Sequence, residues 1–437
     1  MRHYNLPSPP AESIPASGEP PPRGLLRSLG PGLITGASDD DPSGIATYSQ
    51  AGAQFGYSML WTMVLIYPFM AAIQKISALI GRVTGRGIAG NMRKHYPKWV
   101  AYPVVLLLLI ANSINLAADI NAMGAAVQLV IGGPAQVYGA LLALVSVVLQ
   151  IRMSYMRYSN ILKWLTLSLF AYVATVFAVH VDWGATLRGS LIPNFTSDGK
   201  FLIMLIALLG TTISPYLFFW QSSAEVEEVQ NNQDQTALKQ APEQAPVQIQ
   251  RIEWDTYLGM AASNVIAFFI MVTVAATLHA QGVTEIDTAA QAAEALRPLA
   301  GRAAFLLFTV GIVGTGMLAL PVLAGSAAYA VGETLNWPTG LERKAREAKG
   351  FYGVIAIATL VAVGMNFSRL DPIKALFWTA VINGVIAVPL MVVMMFMTTN
   401  RKIMGQFTLS PYLHVAGWLA TAIMLAASLG LFFSWGS

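Results

Sequence analysis

Three carboxylates, Asp39, Asp40 and Asp41, stand side by side before Pro42-Ser43-Gly44, inside a run that otherwise reads as a membrane span. The flanks are LGPGLITGAS and IATYSQAGAQFGY. A carboxylate in the middle of a lipid-embedded helix is costly unless a cation or water meets it. Pro42 cannot donate a backbone hydrogen bond and Gly44 adds backbone freedom, so the helix is predicted to break there. Broken backbone at membrane depth persists only where it is buried in protein or lines a cavity. An acidic break therefore points to a cation site. The bland alternative is a water-exposed loop between two short helices, and the small and apolar residues on both sides argue against it.

A second interruption falls in LIMLIALLGTTISPYLFFWQ, where Gly210, Thr211, Thr212, Ser214 and Pro215 divide an apolar run. One proline in a membrane helix is usually only a kink. Two interruptions at matching positions of two halves are the best sequence pointer to a midplane substrate site with inverted repeats around it. Between them lies Asp119, which shares a helical face with Asn112 and Asn115. That face could line an ion path, or it could hydrogen-bond neighbouring helices. Asn383 and Trp378 near the end of the chain carry the same two readings, with packing favoured, and an interhelical hydrogen bond accounts for Asn264 equally well. The five histidines, His3, His95, His180, His279 and His414, all fall near loops or termini and read as solvated or interfacial.

The elements that must position these groups are membrane helices. Of 437 residues, 55% are hydrophobic and only 11% charged, against about 25% charged in soluble domains. The alternating short segments of a membrane barrel are missing. The absence of cysteine excludes disulfides, thiolate ligands and thiol catalysis. A net charge of +4 with the basic residues in loops fits membrane topology rather than nucleic-acid binding. No nucleophile with a nearby base is visible, so an enzyme is not expected. Residues 1–27 carry PSPP and EPPP runs without the apolar core of a signal peptide, and read as a disordered cytoplasmic tail.

Eleven spans are predicted near 29–53, 57–80, 100–131, 134–151, 158–180, 201–224, 254–280, 302–330, 351–366, 373–398 and 412–434. With the N-terminus inside, the inner segments hold Arg82, Arg86, Arg93, Lys94, Lys98, Arg152, Arg157, Lys163, Arg343, Lys344, Arg346, Lys349, Arg401 and Lys402. The outer segments hold only Arg188, Lys200, Arg297, Arg302, Arg369 and Lys374. The positive-inside rule therefore predicts a cytoplasmic N-terminus and an external C-terminus. The Gln-rich stretch 225–250 reads as a flexible cytoplasmic connection.

Several stretches resemble the Nramp (natural resistance-associated macrophage protein) family of divalent-metal transporters. DPSGIATYSQAGAQFGYSMLW is similar to that family's first-helix signature, whose usual form is Asp-Pro-Gly-Asn. IQKISALIGRVTGRGIAGNMRKHYP, ADINAMGAA, Asp255 through Asn264 and TEIDTAAQAAEALRPLAG follow the family pattern too, and the likeness covers roughly residues 30–400. The resemblance implies an all-α, LeuT-type fold: one five-helix repeat over 28–180, an inverted second over 200–399, and an eleventh span at 411–434. It implies a metal ion held between the broken first and sixth helices. The transported cation is then a substrate, no cofactor is expected, and the expected setting is a monomer in a bacterial plasma membrane.

Within that resemblance, Asp41 occupies the family's metal-binding aspartate position, and Gly44 stands where the family has an Asn ligand. Thr211, Ser214 and Tyr216 stand where typical members carry Ala, Met and His. The two acids of the family's third helix correspond to Ala118 and Asn121, and Asp119 is one residue off, turned by about 100° around the helix. Thioether ligands favour softer ions, whereas hydroxyl, carboxylate and water suit Mg2+, Ca2+ and Mn2+. Mg2+ keeps several waters and touches one or two carboxylates. Asp41, helped by Asp40 or Asp39 and lined by Thr211, Thr212 and Ser214, suits such a partly hydrated ion. The expectation is import of Mg2+ or Mn2+ by a divergent member resembling the Nramp-related magnesium transporters. With Tyr216, Ala118 and Asn121 in place of titrating groups, obligatory proton coupling is not expected, although Asp119 or Asp40 could serve as a relay. The alternatives are a proton-coupled Mn2+/Fe2+ symporter of the typical kind and, from another class, an amino-acid or organic-solute symporter on the same fold.

Overall fold

Pro42 fixes where the first span divides. The computed structural model describes residues 31–153, 164–165, 167–196, 198–232, 234–367 and 371–435. The 1–27 tail, the start of the fifth predicted span at 158–163, and Arg157, Lys163 and Arg369 lie outside the described residues. Helix α1 (Pro31–Asp39) ends at the first aspartate, and α2 (Pro42–Phe55) starts with proline at its first turn. Proline suits that position because the amide it lacks has no helical partner there. The remaining helices are α3 (Trp61–Thr84), α4 (Ile88–His95), α5 (Lys98–Ile131), α6 (Ala135–Arg152), α7 (Phe170–Ala178) and α8 (Trp183–Leu191). The sixth span divides in the same way into α9 (Gly199–Thr212) and α10 (Pro215–Asn231). Then follow α11 (Ala245–Thr277), α12 (Ala289–Glu294), α13 (Ala304–Leu335), α14 (Lys349–Asn366), α15 (Pro372–Thr399) and α16 (Pro411–Trp435).

Among the described residues no strand occurs, and nine helical segments are long and apolar enough to cross a membrane. The broken α1–α2 pair and α7 fall at the remaining two of the eleven predicted positions. Helix α5 has 34 residues, which at 1.5 Å each is about 50 Å, well beyond a hydrocarbon core of about 30 Å. Leu106 on α5, Leu141 and Leu144 on α6, Leu360 on α14 and Val415 on α16 are all more than half exposed, as lipid-facing side chains would be.

Each first half-helix is seated through glycine. A Cβ on Gly36 of α1 would lie 2.3 Å from the Gly259 carbonyl oxygen of α11. A Cβ on Gly210 of α9 would lie 2.0 Å from the Ala380 carbonyl oxygen and 2.5 Å from Gly384 N on α15. Small residues let membrane helices approach to backbone contact, so both interruptions are held against continuous helices. Charge fixes the start of α1 as well. Asp255 of α11 accepts from Gly32 N (2.7 Å) and lies 4.0 Å from Arg251, which pairs with the buried Glu225 of α10 at 2.5 Å.

The 225–250 stretch departs from its expectation. Helix α10 continues to Asn231 and α11 begins at Ala245, so the connection spans only 232–244. It is also docked: Leu238 is buried and its amide donates to the Arg82 carbonyl (3.1 Å), while Lys239 Nζ donates to the Lys402 carbonyl (2.7 Å). Polar residues extend α10 because they find partners. Glu227 accepts from the Tyr329 hydroxyl and from Glu342 N.

Candidate metal-transport site

Asp41 is the N-cap of α2, in extended conformation with φ −67° and ψ 170°. Its Oδ1 accepts from Gly44 N (2.8 Å) and from Ser43 Oγ (2.7 Å). The partial positive charge of the helix start adds to this. Its Oδ2 faces the other way and accepts from Asn115 Nδ2 of α5 and from the Tyr216 hydroxyl of α10, both at 3.2 Å. Tyr216 also reaches the Ser38 carbonyl at 3.1 Å. One buried carboxylate thus joins both broken helices to the third span. Asp119, four residues beyond Asn115 on α5, is fully buried and lies within electrostatic range of Asp41 and Tyr216. Among the described residues neither of its carboxylate oxygens has a hydrogen-bond partner, and Asn115 Oδ1 also has none.

Asp39 and Asp40 point elsewhere. Both contact Ser263 Oγ of α11, Asp39 Oδ2 at 2.7 Å and Asp40 Oδ1 at 3.1 Å. A hydroxyl has one proton and can donate to only one of them at a time. Asp39 Oδ1 is buried without a partner. Asp40, expected to help Asp41 hold the ion, thus shares Ser263 with Asp39 in this structure. Residue 40 is a bend between two helices, and that bend turns its side chain toward α11 while Asp41 faces α5 and α10.

The other expected groups divide. A Cβ on Gly44 would meet the Asp39 carbonyl oxygen at 3.2 Å and Thr211 Oγ1 and the Tyr48 ring at 3.3 Å. Gly44 therefore brings α2 against Thr211, and a side chain there would need these neighbours to give by a few tenths of an ångström. Ser214 caps α10 in position only: its hydroxyl is turned back onto the Gly210 and Thr211 carbonyls, each at 2.8 Å. Asn121 lines a mostly apolar cleft of about 480 Å³ with Ala118, Trp378 and Lys374. Asn383 is buried on α15, beside the Gly384 that packs on Gly210. Of the polar face on α5, Asn112 is committed to α13, donating to the Leu323 carbonyl (3.0 Å) and Ser326 Oγ (2.6 Å). The face is thus split between helix packing and the site. Ser43 and Ser263 were not singled out from the sequence. Ser43 sits within the DPSG motif and Ser263 one residue before Asn264, so position in the motifs was the available signal.

Among the described residues no histidine, lysine or arginine makes an ion pair or hydrogen bond with this group of acids, and the donors around Asp41 are an amide, two hydroxyls and a carboxamide. The family model described as "Natural resistance-associated macrophage protein-like" matches residues 32–434. The chain belongs to the Nramp family. It is 27% identical over 411 residues to the "Divalent metal cation transporter MntH" of Klebsiella pneumoniae strain 342, covering 92% of each chain. Among solved structures it is similar to the Eremococcus coleocola manganese transporter in complex with an aromatic bis-isothiourea substituted compound. That likeness has a TM-score of 0.72 at 17% identity over 93% of this chain and 87% of the other. The nucleobase-cation-symport-1 family transporter Mhp1 matches with a TM-score of 0.57 at 12% identity, over 93% and 92%. These likenesses show the fold. This Nramp chain has the expected LeuT-type arrangement of two inverted five-helix repeats, with the eleventh span, α16, added.

Proposed function

We propose that this Nramp-family protein carries divalent metal cations, Mg2+ and Mn2+ foremost, into the cytoplasm by alternating access and without obligatory proton coupling. The observation that carries the reading is the set of buried acceptors without donors on the α5 face that meets Asp41: Asn115 Oδ1 and both oxygens of Asp119. A buried acceptor left unpaired is costly. A cation, with its remaining water, satisfies several at once. All of these atoms are hard oxygen donors, and no thioether stands at position 214, which suits Mg2+ and Mn2+ better than softer ions. Asp41 is the central ligand in this reading. Asp119 and Asn115 hold the hydration shell, and Thr211 and Gly44 shape the wall opposite.

The printed names of the Klebsiella and Eremococcus relatives, a divalent-cation and a manganese transporter, support the substrate class. Membrane potential alone supplies about 4.6 kcal/mol per 100 mV for two charges, enough to import an abundant ion. The reading places the N-terminus and the basic segments from Arg82 to Lys98 in the cytoplasm of a bacterial plasma membrane, with the protein as a monomer. Three aspartates at the break would repel the carboxylate of an amino-acid substrate, which argues against an organic-solute symporter.

One observation favours a second reading, the proton-coupled Mn2+/Fe2+ symporter. Asp119 is a buried carboxylate within electrostatic range of Asp41 and could carry a proton. A proteoliposome flux panel of Mg2+, Mn2+, Fe2+ and Ca2+ with an internal pH dye separates the two. The proposal expects Mg2+ and Mn2+ flux with no metal-dependent acidification at zero pH gradient. Acidification that disappears in Asp119→Asn would establish the second reading. Good Fe2+ flux with millimolar Mg2+ ignored would overturn the selectivity.

A further inference from the structure

At the basic end of the molecule a cleft of about 420 Å³ opens between the turn after α3, helix α4, the end of α10 and the turn after α13. Its volume lies within the range of small-molecule sites. Three cations line it, Arg86, Arg93 and Lys94, against one carboxylate, Glu333. That carboxylate is already committed. Its Oε1 accepts from Ser223 Oγ and its Oε2 from Gly90 N, both at 2.8 Å, and a Cβ on Gly87 would lie 2.2 Å from it. Arg93 donates to Asn336 Oδ1 at 2.5 Å. Arg86 and Lys94 are exposed, and no ion pair or side-chain hydrogen bond engages their head groups among the described residues. Trp337 stands at the rim, 42% exposed, backed by Gly350, where a Cβ would lie 2.5 Å from its ring. A cleft with uncommitted cations repels a metal ion and attracts its opposite. Guanidinium and ammonium groups are the usual partners of phosphate, and a backed, half-open indole is a stacking platform for a base.

We infer that this cleft binds a phosphate-bearing anion, a nucleoside di- or triphosphate or an anionic lipid headgroup, through Arg86, Arg93 and Lys94 with Trp337 against its organic part. The walls belong to segments on both sides of the sixth-span break, so a bound anion would tie α4, α10 and α13 together. On the alternating-access reading it would hold this end closed and slow transport, whereas the binding itself does not depend on that reading.

The test titrates the purified protein with ATP, and separately with inorganic pyrophosphate, in metal-free buffer containing EDTA, by calorimetry. Both should bind, ATP the tighter, and raised salt should weaken both. The charge reversals Arg86→Glu and Lys94→Glu together should weaken both by about tenfold or more, and Trp337→Ala should bring ATP down to the affinity of pyrophosphate. Thermal unfolding of each variant in EDTA, unchanged from wild type, keeps misfolding from imitating the result. Repeating the ATP titration in phosphatidylglycerol and phosphatidylcholine nanodiscs assigns the source. Weaker ATP binding in phosphatidylglycerol means that the headgroup competes for the same phosphate site, and equal binding means a soluble anion. No binding of ATP or pyrophosphate at millimolar concentration, or binding unchanged by the double reversal, overturns the site whatever the metal fluxes prove to be.

Discussion

Replacing Asp119 by its isosteric amide, Asp119→Asn, should stabilise the metal-free protein and shrink the stabilisation that metal adds. In the structure both Asp119 oxygens are buried without a donor, and one turn earlier on α5 Asn115 Oδ1 is in the same position. The new amide brings two N–H donors within i,i+4 reach of that oxygen. It also removes an acceptor whose unmet hydrogen bond costs about 1–3 kcal/mol, more when charged. The metal-free variant should therefore gain about 1–3 kcal/mol. With metal at a hundred times its dissociation constant, wild type gains about 2.7 kcal/mol. A variant binding about a hundredfold more weakly gains about 0.4 kcal/mol by the same relation. The order of stabilities then narrows or inverts between the two conditions. Thermal unfolding of both proteins in detergent, in EDTA and in saturating Mn2+, reads this directly. Lower stability of Asp119→Asn in EDTA, or a metal-induced shift equal to that of wild type, would refute the reasoning.

Three other substitutions follow from the same geometry. Ser214→Met should shift preference toward Cd2+ over Mg2+ in competition flux, since it introduces a thioether at the start of α10. Gly44→Asn, although it restores the residue usual in the family, should lower transport rather than improve it, because a Cβ there already meets Asp39, Thr211 and Tyr48 at 3.2–3.3 Å; metal uptake and yield of folded protein check this together. Arg251→Met leaves Glu225 buried without its 2.5 Å partner and should cost about 3–5 kcal/mol of stability, measured by unfolding.

How much of this was legible in the sequence depends on what fixes each feature. Both breaks were, because Asp41-Pro42 and Ser214-Pro215 combine a capping residue with a residue that cannot continue a preceding helix. The span positions followed from apolar length alone. The direction of Asp40 did not, since periodicity says nothing about a side chain at a bend between helices. The roles of Asn112, Asn115 and Asp119 were open for a related reason. Spacing puts them on one face, and only the neighbours decide that Asn112 meets α13 while Asn115 meets Asp41. The 225–250 stretch looked unstructured because its residues are polar. Its first part is helical because Glu225 and Glu227 find Arg251 and Tyr329, partners distant in sequence. Gly44 looked like a missing ligand, and its role as the point of contact with Thr211 depends on packing that no local pattern records.

The central claim is that the Asp41 carboxylate, held between the two broken helices by Asn115 and Tyr216, is the ligand on which cation transport depends. Its most direct test is the uptake of Mg2+ and Mn2+ into proteoliposomes containing equal amounts of folded wild-type or Asp41→Ala protein, driven by an inside-negative potential. The account predicts uptake by wild type and none above protein-free vesicles for Asp41→Ala, with smaller, graded losses for Asp39→Ala and Asp40→Ala. Near-normal uptake by a well-folded Asp41→Ala protein would contradict it.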